Sequence, residues 1–259
     1  MPTAQLDTTI ERKEIGSFRF PLGVYPVEPL SPRPGFVLAF EPADGGDPEH
    51  DDTAFTTQQD PDDQIQGRDA PTGPSVGDWE EWPDRFMFDV LVSAERLPSL
   101  VRALLSLLPG RLYPILDVLG NDAFREIDPY IAYDLVAAER FYDGFIMFQD
   151  WLLEDGLVGF GAMSMDPFIY IFVDEHKAVT IRAGLELTDD LQSLLDAFDL
   201  SEVLDMLGAD AVAHEHRTVL ARTENPKDGL HAEEIVERLR EPWLLQLNID
   251  TTTNLDDNG

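Results

Sequence analysis

The chain of 259 residues contains no cysteine and only three lysines. Without cysteine it can form neither disulfide bonds nor thiolate metal sites, and no thiol can act as a nucleophile. Long apolar runs are missing as well: the two richest stretches, 97–108 and 141–153, contain charged residues and are shorter than a membrane span. Residues 1–16 lack the apolar core of a secretory signal. We therefore expect a cytoplasmic protein without a membrane partner.

Positive charge is scarce in this sequence. The chain has 51 acidic residues and 18 basic ones, which gives a formal net charge of -33 and a pI of about 4.1. Nucleic acid requires a basic surface that replaces its counterions, and no basic stripe exists here, so we expect no nucleic-acid partner. An acid excess with arginine preferred over lysine is typical of proteins adapted to salt-rich cytoplasm. A GC-rich genome produces the same bias, and the sequence leaves both explanations open.

Composition divides the chain into four segments. Residues 1–42 form an N-terminal arm with an extended proline-rich segment and one predicted strand at 35–40. Residues 43–84 are rich in Asp, Gly, Pro and Gln and hold few apolar side chains, so we expect a disordered acidic linker. Residues 85–250 carry the regular apolar patterns of a folded domain, and 251–259 form a polar tail.

The apolar periodicity of the folded segment predicts the α+β class, a mainly antiparallel sheet with helices packed on one face. Residues 168–173 and 178–182 are separated by Asp174-Glu175-His176-Lys177, which predicts a tight antiparallel hairpin. The other predicted strands are 86–92, 113–119, 157–163, 217–222 and 243–249, and the predicted helices are 97–108, 137–154, 189–200 and 232–240.

The segment His214-Glu215-His216 is the sharpest candidate for chemistry. Positions two apart on an extended segment share a face, so both imidazoles can ligate one metal ion, with Glu or Asp as a third ligand. The sequence therefore predicts a metal site at His214 and His216. The alternative is a strand-entry segment whose imidazoles bond to backbone groups or to solvent.

Two other polar patterns carry less specific signals. Gly159–Ser164 has the glycine spacing of a dinucleotide fingerprint, but Asp166-Pro167 and a strand follow where the pyrophosphate needs a helix N-terminus. We expect these glycines to permit a bulge or close packing within a strand, with a small-ligand pocket nearby as an alternative. We interpret Asp174-Glu175-His176 as a polar turn that serves solubility rather than as a catalytic group.

The predicted helix 137–154 carries an unusually broad aromatic face, wider than the roughly 100° stripe of an ordinary surface helix. Such a helix is either central to its domain or packs on a second surface, where aromatic anchors dominate binding. Both interpretations stay open from the sequence. The candidate interface residues are Phe141, Tyr142, Phe145, Phe148 and Trp151.

No sequence pattern predicts a catalytic residue or a cofactor. We expect a non-enzymatic protein–protein interaction or assembly module, because the core pattern is well formed and no catalytic set converges. The partner would be another protein or a second copy of this chain. The alternative function is a metal-dependent enzyme or metal-binding protein that uses His214-Glu215-His216.

Overall fold

The computed structural model describes residues 4–43, 82–119, 130–221 and 229–247. Within these ranges the chain forms thirteen β-strands and four α-helices. The predicted acidic linker, 43–84, lies almost entirely outside the described residues, and the polar tail lies wholly outside them. No helix in the described part of the chain has the length and hydropathy that crossing a membrane requires.

The strands of the N-terminal arm are mostly short, and longer strands build the middle of the domain. The strands are β1 (Glu14–Ile15), β2 (Phe18–Arg19), β3 (Val24–Pro26), β4 (Gly35–Glu41), β5 (Arg85–Leu91), β6 (Arg111–Val118), β7 (Tyr130–Ala132), β8 (Val136–Ala137), β9 (Val158–Met165), β10 (Phe168–Val173), β11 (Val179–Gly184), β12 (His214–His216) and β13 (Leu245–Leu247). The helices are α1 (Leu97–Leu105), α2 (Ala138–Glu154), α3 (Thr188–Ala197) and α4 (Ala232–Arg240).

Nine of the described strands form one sheet. Their order is β13-β7-β6-β9-β10-β11-β5-β4, and β8 pairs with the start of β6. Every pairing within this sheet is antiparallel. Two small ribbons, β1–β2 and β12–β3, lie beside it. The predicted α+β class with a mainly antiparallel sheet is therefore confirmed.

Strands β9, β10 and β11 form an antiparallel meander that includes the predicted hairpin. Its register places Ile171 opposite Ala162 and Ile181, and all three side chains are fully buried. The next residue, Phe172, lies opposite Gly161, where a Cβ would lie 2.9 Å from the Phe172 Cα and closer to the Ile171 carbonyl oxygen. The glycines of β9 thus permit close strand packing, and β10 follows instead of the helix that a dinucleotide site needs.

The hydrophobic core lies between the sheet and helices α1, α2 and α3. Alternate strand residues face this core, whereas Tyr170, Phe172 and Arg182 are half-buried on the opposite face. Helix α1 is amphipathic and turns one row of side chains inward. That row is Leu97, Leu100, Val101, Leu104 and Leu105.

The aromatic residues of α2 belong to the same core. Tyr142 is half-buried, and its hydroxyl donates to the carbonyl oxygen of Leu105. The candidate interface residues therefore pack in or against the core of the domain. The other four, each at most 3% exposed, are Phe141, Phe145, Phe148 and Trp151.

The segment that follows β12 differs from the strand predicted at 217–222. No named strand forms at 217–221, the described part of this segment, and the short strand β12 precedes it. The reason is the buried carboxylate of Asp155, which accepts hydrogen bonds from the Thr218 hydroxyl at 3.0 Å and the Val219 amide at 2.9 Å. A side-chain acceptor thus occupies one edge of this segment, and on the other edge Leu220 pairs with Leu6 in an isolated antiparallel bridge.

The N-terminal arm docks on the same domain. Strand β4 pairs with β5 in the main sheet, and β3 pairs with β12. The Arg12 guanidinium forms two hydrogen bonds, of 3.0 and 2.8 Å, with the Glu154 carboxylate at the end of α2. The Leu22 amide donates to the same carboxylate at 2.8 Å. This contact holds β3, and through it β12, beside the C-terminal end of α2.

Candidate metal centre

Three of the five histidines in the chain meet at one place in the fold. His214 and His216 share a face of β12, and His176 comes from the turn between β10 and β11. The Nε2 atom of His214 lies 3.0 Å from Nε2 of His176 and 3.0 Å from Nε2 of His216. We name His176, His214 and His216 the tri-histidine cluster.

The hairpin turn fixes the position of His176. The Asp174 carbonyl accepts a hydrogen bond from the Lys177 amide at 3.1 Å, and the Asp174 amide donates to the Ala178 carbonyl at 3.0 Å. Lys177 has a φ of 65°, a left-handed conformation that glycine usually adopts in such turns. The turn therefore closes tightly enough to direct His176 towards β12.

A close crossing of two glycines fixes the position of β12. The Arg217 amide donates to the Gly23 carbonyl at 2.8 Å, and the Gly156 amide donates to the Arg217 carbonyl at 3.1 Å. A Cβ on Gly23 would lie 2.6 Å from the Arg217 carbonyl oxygen and closer still to the Gly156 nitrogen. Only glycine at both positions lets these backbones approach, and the approach brings β12 to the start of β9.

Backbone carbonyls determine which ring nitrogens of the β12 histidines carry protons. Nδ1 of His214 lies 2.7 Å from the Val212 carbonyl oxygen, and Nδ1 of His216 lies 2.6 Å from the Gly156 carbonyl oxygen. A carbonyl oxygen can only accept, so each Nδ1 donates and each neutral ring has a bare lone pair on Nε2. Two lone pairs thus face one another across 3.0 Å.

His176 is oriented in the same way by carboxylates. Its Nδ1 lies 3.6 Å from Asp174 Oδ2 and 3.5 Å from Glu175 Oε1. The Nδ1 atom therefore faces acceptors, and Nε2 faces the other two rings. A carboxylate behind a ligating imidazole fixes the tautomer and increases the basicity of the ligand.

Two histidines of the cluster have pKa values shifted in opposite directions. Burial acts to lower the pKa of His176, but the carboxylate of Asp174 and the charges of Glu175 and Asp210 outweigh burial and raise it. Burial and the two neighbouring rings lower the pKa of His216, against the effect of its backbone hydrogen bond. A proton that binds the metal-free cluster therefore resides on His176 rather than on His216.

Lys177 adds a buried amine beside the cluster. It is 1% exposed, and its Nζ donates to the carbonyl oxygen of Val158. Burial lowers the pKa of Lys177 to about 8, although the carboxylates of Asp155 and Asp174 oppose this change. The amine is therefore still mostly protonated at neutral pH, but it loses its charge at a lower pH than an exposed lysine would.

The spacing of the nitrogens fits a shared metal ion. Zinc–imidazole bonds are about 2.0–2.1 Å long, so nitrogens 3.0 Å apart subtend roughly 90–97° at a common ion. Such angles place the three ligands on one side of the ion and leave the other side open. An ion held by neutral imidazoles keeps its full charge and can act as a Lewis acid.

The sequence predicted two of the three histidines of this cluster. His214 and His216 share a face of an extended segment, as expected from their spacing. The third, His176, lies 38 residues before His214, in a turn that the sequence analysis assigned to solubility. A histidine within a tight hairpin turn, in a chain with only five histidines, is the one local signal for it.

Comparisons of this chain with protein-family models, with curated proteins and with solved structures each found no match. The geometry of the tri-histidine cluster therefore carries the functional argument.

Proposed function

We propose that this protein binds one divalent transition-metal ion, with Zn²⁺ as the leading candidate, through the three Nε2 atoms of the tri-histidine cluster. One observation carries the proposal. The Nε2 lone pairs of His214 and His216 face each other at 3.0 Å, while both ring protons are committed to backbone carbonyls. Lone pairs this close repel each other, and a cation between them converts the repulsion into attraction.

The groups behind the rings support this proposal. The carbonyl oxygens of Val212 and Gly156 and the carboxylates of Asp174 and Glu175 contact the nitrogens that point away from the cluster. Ligating histidines in metalloproteins nearly always have such partners on the second nitrogen. The same carboxylates create a negative potential that attracts cations.

The donor atoms also limit the identity of the metal. Imidazole nitrogen suits Zn²⁺, Cu²⁺, Ni²⁺ and Fe²⁺, whereas Mg²⁺ and Ca²⁺ prefer oxygen ligands. The chain has no cysteine, so thiolate cannot contribute to the selection. The acidic surface can still attract any divalent ion diffusely, and the test must separate that effect from a defined site.

Calorimetric titration of the full-length, chelator-treated protein with Zn²⁺ tests the proposal. In about 1 M KCl the Debye length is only about 3 Å, which suppresses diffuse attraction by surface acids. We expect one equivalent of Zn²⁺ to bind and Mg²⁺ not to compete. The double variant His214→Ala/His216→Ala should lose at least about 100-fold in affinity, because removing second-shell partners alone costs 10–100-fold.

The matched control is His231→Asn at the N-terminus of α4. This position lies outside the cluster, and asparagine caps helices well, so Zn²⁺ affinity should stay unchanged. Failure of the wild-type protein to bind one equivalent would overturn the proposal. Unchanged affinity in the double variant would also overturn it, and would direct attention to Asp174-Glu175-His176, where three ligand groups also lie close together.

The interaction or assembly function expected from the sequence stays a prediction. The aromatic residues that suggested it lie in the core, and four of the five are nearly inaccessible. The metal alternative has instead gained a third ligand in His176. We therefore base the proposed function on the cluster.

A further inference from the structure

We infer that the metal ion in the tri-histidine cluster keeps a coordination position that exchanges small neutral ligands, water among them. This inference rests on the proposed function and adds the class of ligand. It depends on three features of the structure: the number of protein donors, an apolar recess beside His176, and the charge around the cluster.

The described residues supply three donors and no fourth. Asp174 and Glu175 lie beside Nδ1 of His176, the ring nitrogen that points away from the cluster, so they orient the ring instead of ligating the same ion. Among the described residues no further histidine or carboxylate joins the three imidazoles. Structural zinc sites have four protein ligands, whereas sites with three keep a position for water or substrate.

A recess adjoins the cluster at His176. Its wall is largely apolar: Phe18 and Phe20 are at most 7% exposed and pack edge to face, with ring centroids 4.8 Å apart. The exposed residue Asp210 also lines it. The recess therefore has room for about one water-sized ligand beside His176. The lining includes Phe18, Phe20, Leu91, His176, Ala209 and Asp210.

The charges around the cluster select against anions. Asp174 and Glu175 lie within 3.6 Å of the His176 ring, and Asp210 lines the recess. The three carboxylates together offset the double positive charge of the ion and the ammonium of Lys177, which also lines the recess, and the whole chain carries a net charge of -33. A negatively charged ligand meets repulsion on its approach, whereas a neutral ligand does not.

Visible absorption of the Co²⁺-loaded, full-length protein tests this inference, because the spectrum of Co²⁺ reports its ligands. The probes are pyridine and pyridine-3-sulfonate, which both coordinate through a ring nitrogen. The sulfonate adds a negative charge and also weakens the nitrogen as a donor, so the effect of the protein's charge is the part of the affinity difference that removing Asp210 abolishes. In about 0.1 M of a salt with a non-coordinating anion, surface charges still act over about 10 Å. We expect pyridine to change the spectrum saturably and the sulfonate to bind roughly tenfold more weakly.

Two variants determine whether the recess charge causes this preference. Asp210→Asn should reduce the difference in affinity between pyridine and the sulfonate, because one negative charge in the recess is removed. The control, Glu237→Gln, removes the charge of an exposed α4 residue that pairs with Arg240. It should leave the difference in affinity between the two probes unchanged. Equal narrowing in both variants would overturn the assignment to Asp210.

The outcomes separate this inference from the proposed function. Failure to load one equivalent of Co²⁺ would contradict the proposed function itself. Stoichiometric Co²⁺ with a spectrum that neither probe changes would show a closed site and overturn only the inference. Binding of the sulfonate as tight as that of pyridine would overturn the neutral class of ligand.

Discussion

The aromatic layer on α2 consists of the buried rings of Phe141, Phe145, Phe148 and Trp151. The tri-histidine cluster also consists of packed rings, but its surroundings are polar whereas those of the layer are apolar. In the layer, Phe145 is 1% exposed and stacks on Phe160, with ring centroids 5.6 Å apart. The indole nitrogen of Trp151 is buried there and has no hydrogen-bond partner among the described residues. In the cluster all three rings are half-buried, and every Nδ1 faces an oxygen acceptor.

The layer therefore serves the stability of the fold, and the cluster serves the metal binding that we propose. Burial of apolar area is non-directional and contributes roughly 25 cal/mol per Å², so the layer depends on volume rather than on bond angles. Ligand geometry is directional and must hold within about 0.5 Å. The cluster therefore depends on two backbone features, the crossing of Gly23 with Gly156 and the hairpin turn, and on the side-chain carboxylate of Asp155. A substitution in one of these regions can therefore be judged by two quantities, the free energy of unfolding and the affinity for Zn²⁺.

The largest effect is expected from Phe145→Ala. Removing a fully buried phenyl ring should lower the free energy of unfolding by about 3–5 kcal/mol. Zn²⁺ affinity of the folded variant should stay within about twofold of wild type, because the ring packs on Phe160 in the core and contributes no ligand atom. Urea unfolding of the metal-free protein and calorimetry below its melting temperature measure the two quantities. Loss of Zn²⁺ affinity in the folded variant would contradict the separation.

The second prediction concerns Gly156→Ala. The new Cβ would lie 2.7 Å from the carbonyl carbon of Gly23, so the backbones must separate and His216 loses its position. We expect a loss of about 1–3 kcal/mol in unfolding free energy together with a loss of Zn²⁺ affinity.

Gly110→Ala is the matched control for this variant. A Cβ at Gly110 meets no atom within 4 Å. Its unfolding free energy should change by less than about 1 kcal/mol, with unchanged Zn²⁺ affinity. Full Zn²⁺ affinity in Gly156→Ala would show that the glycine crossing does not position the cluster.

The third prediction concerns the carboxylate behind His176. In Asp174→Asn the amide oxygen can still accept the hydrogen bond from the Ala178 amide, but the negative charge is lost. We expect a 10–100-fold loss of Zn²⁺ affinity with little change in the stability of the metal-free protein. The control, Glu215→Gln, removes an exposed charge on β12 that pairs with Arg217. An equal loss in the control would point to a general effect of charge.

The smallest effect is expected from Tyr142→Phe, which alters only the apolar region. At neutral pH the variant should be less stable by about 0.5–1.5 kcal/mol, because Leu105 loses a hydrogen-bond donor. Burial raises the pKa of Tyr142 above 10.0. Wild-type stability should therefore fall as the pH rises above 10, where the unfolded chain ionises before the folded one.

The variant lacks this pH dependence, so the difference in stability should shrink above pH 10. Urea unfolding at about pH 7.5 and pH 10.5 measures it. A difference that is the same at both values would contradict burial as the cause of the raised pKa. Zn²⁺ affinity should be the same in both proteins.

Local periodicity allowed much of the fold to be predicted. The predicted helix 232–240 has the bounds of α4, and the hairpin at 168–182 forms β10 and β11. These elements depend on the alternation of apolar and polar residues between near neighbours. Strand 217–222 was not correctly predicted. Among its described residues Leu220 forms only an isolated bridge with Leu6, and the buried carboxylate of Asp155 takes two of the hydrogen-bond donors in the segment.

The sequence alone determined the α+β class, the acidic character and the two histidines that share a face of β12. The tertiary structure decided that the broad aromatic helix lies in the core and that His176 completes the cluster. The physical reason is the distance along the sequence between the residues that make contact. Neighbouring residues determine helical and extended periods, whereas the cluster forms where Gly23, Gly156 and Arg217, from three distant segments, join their backbones.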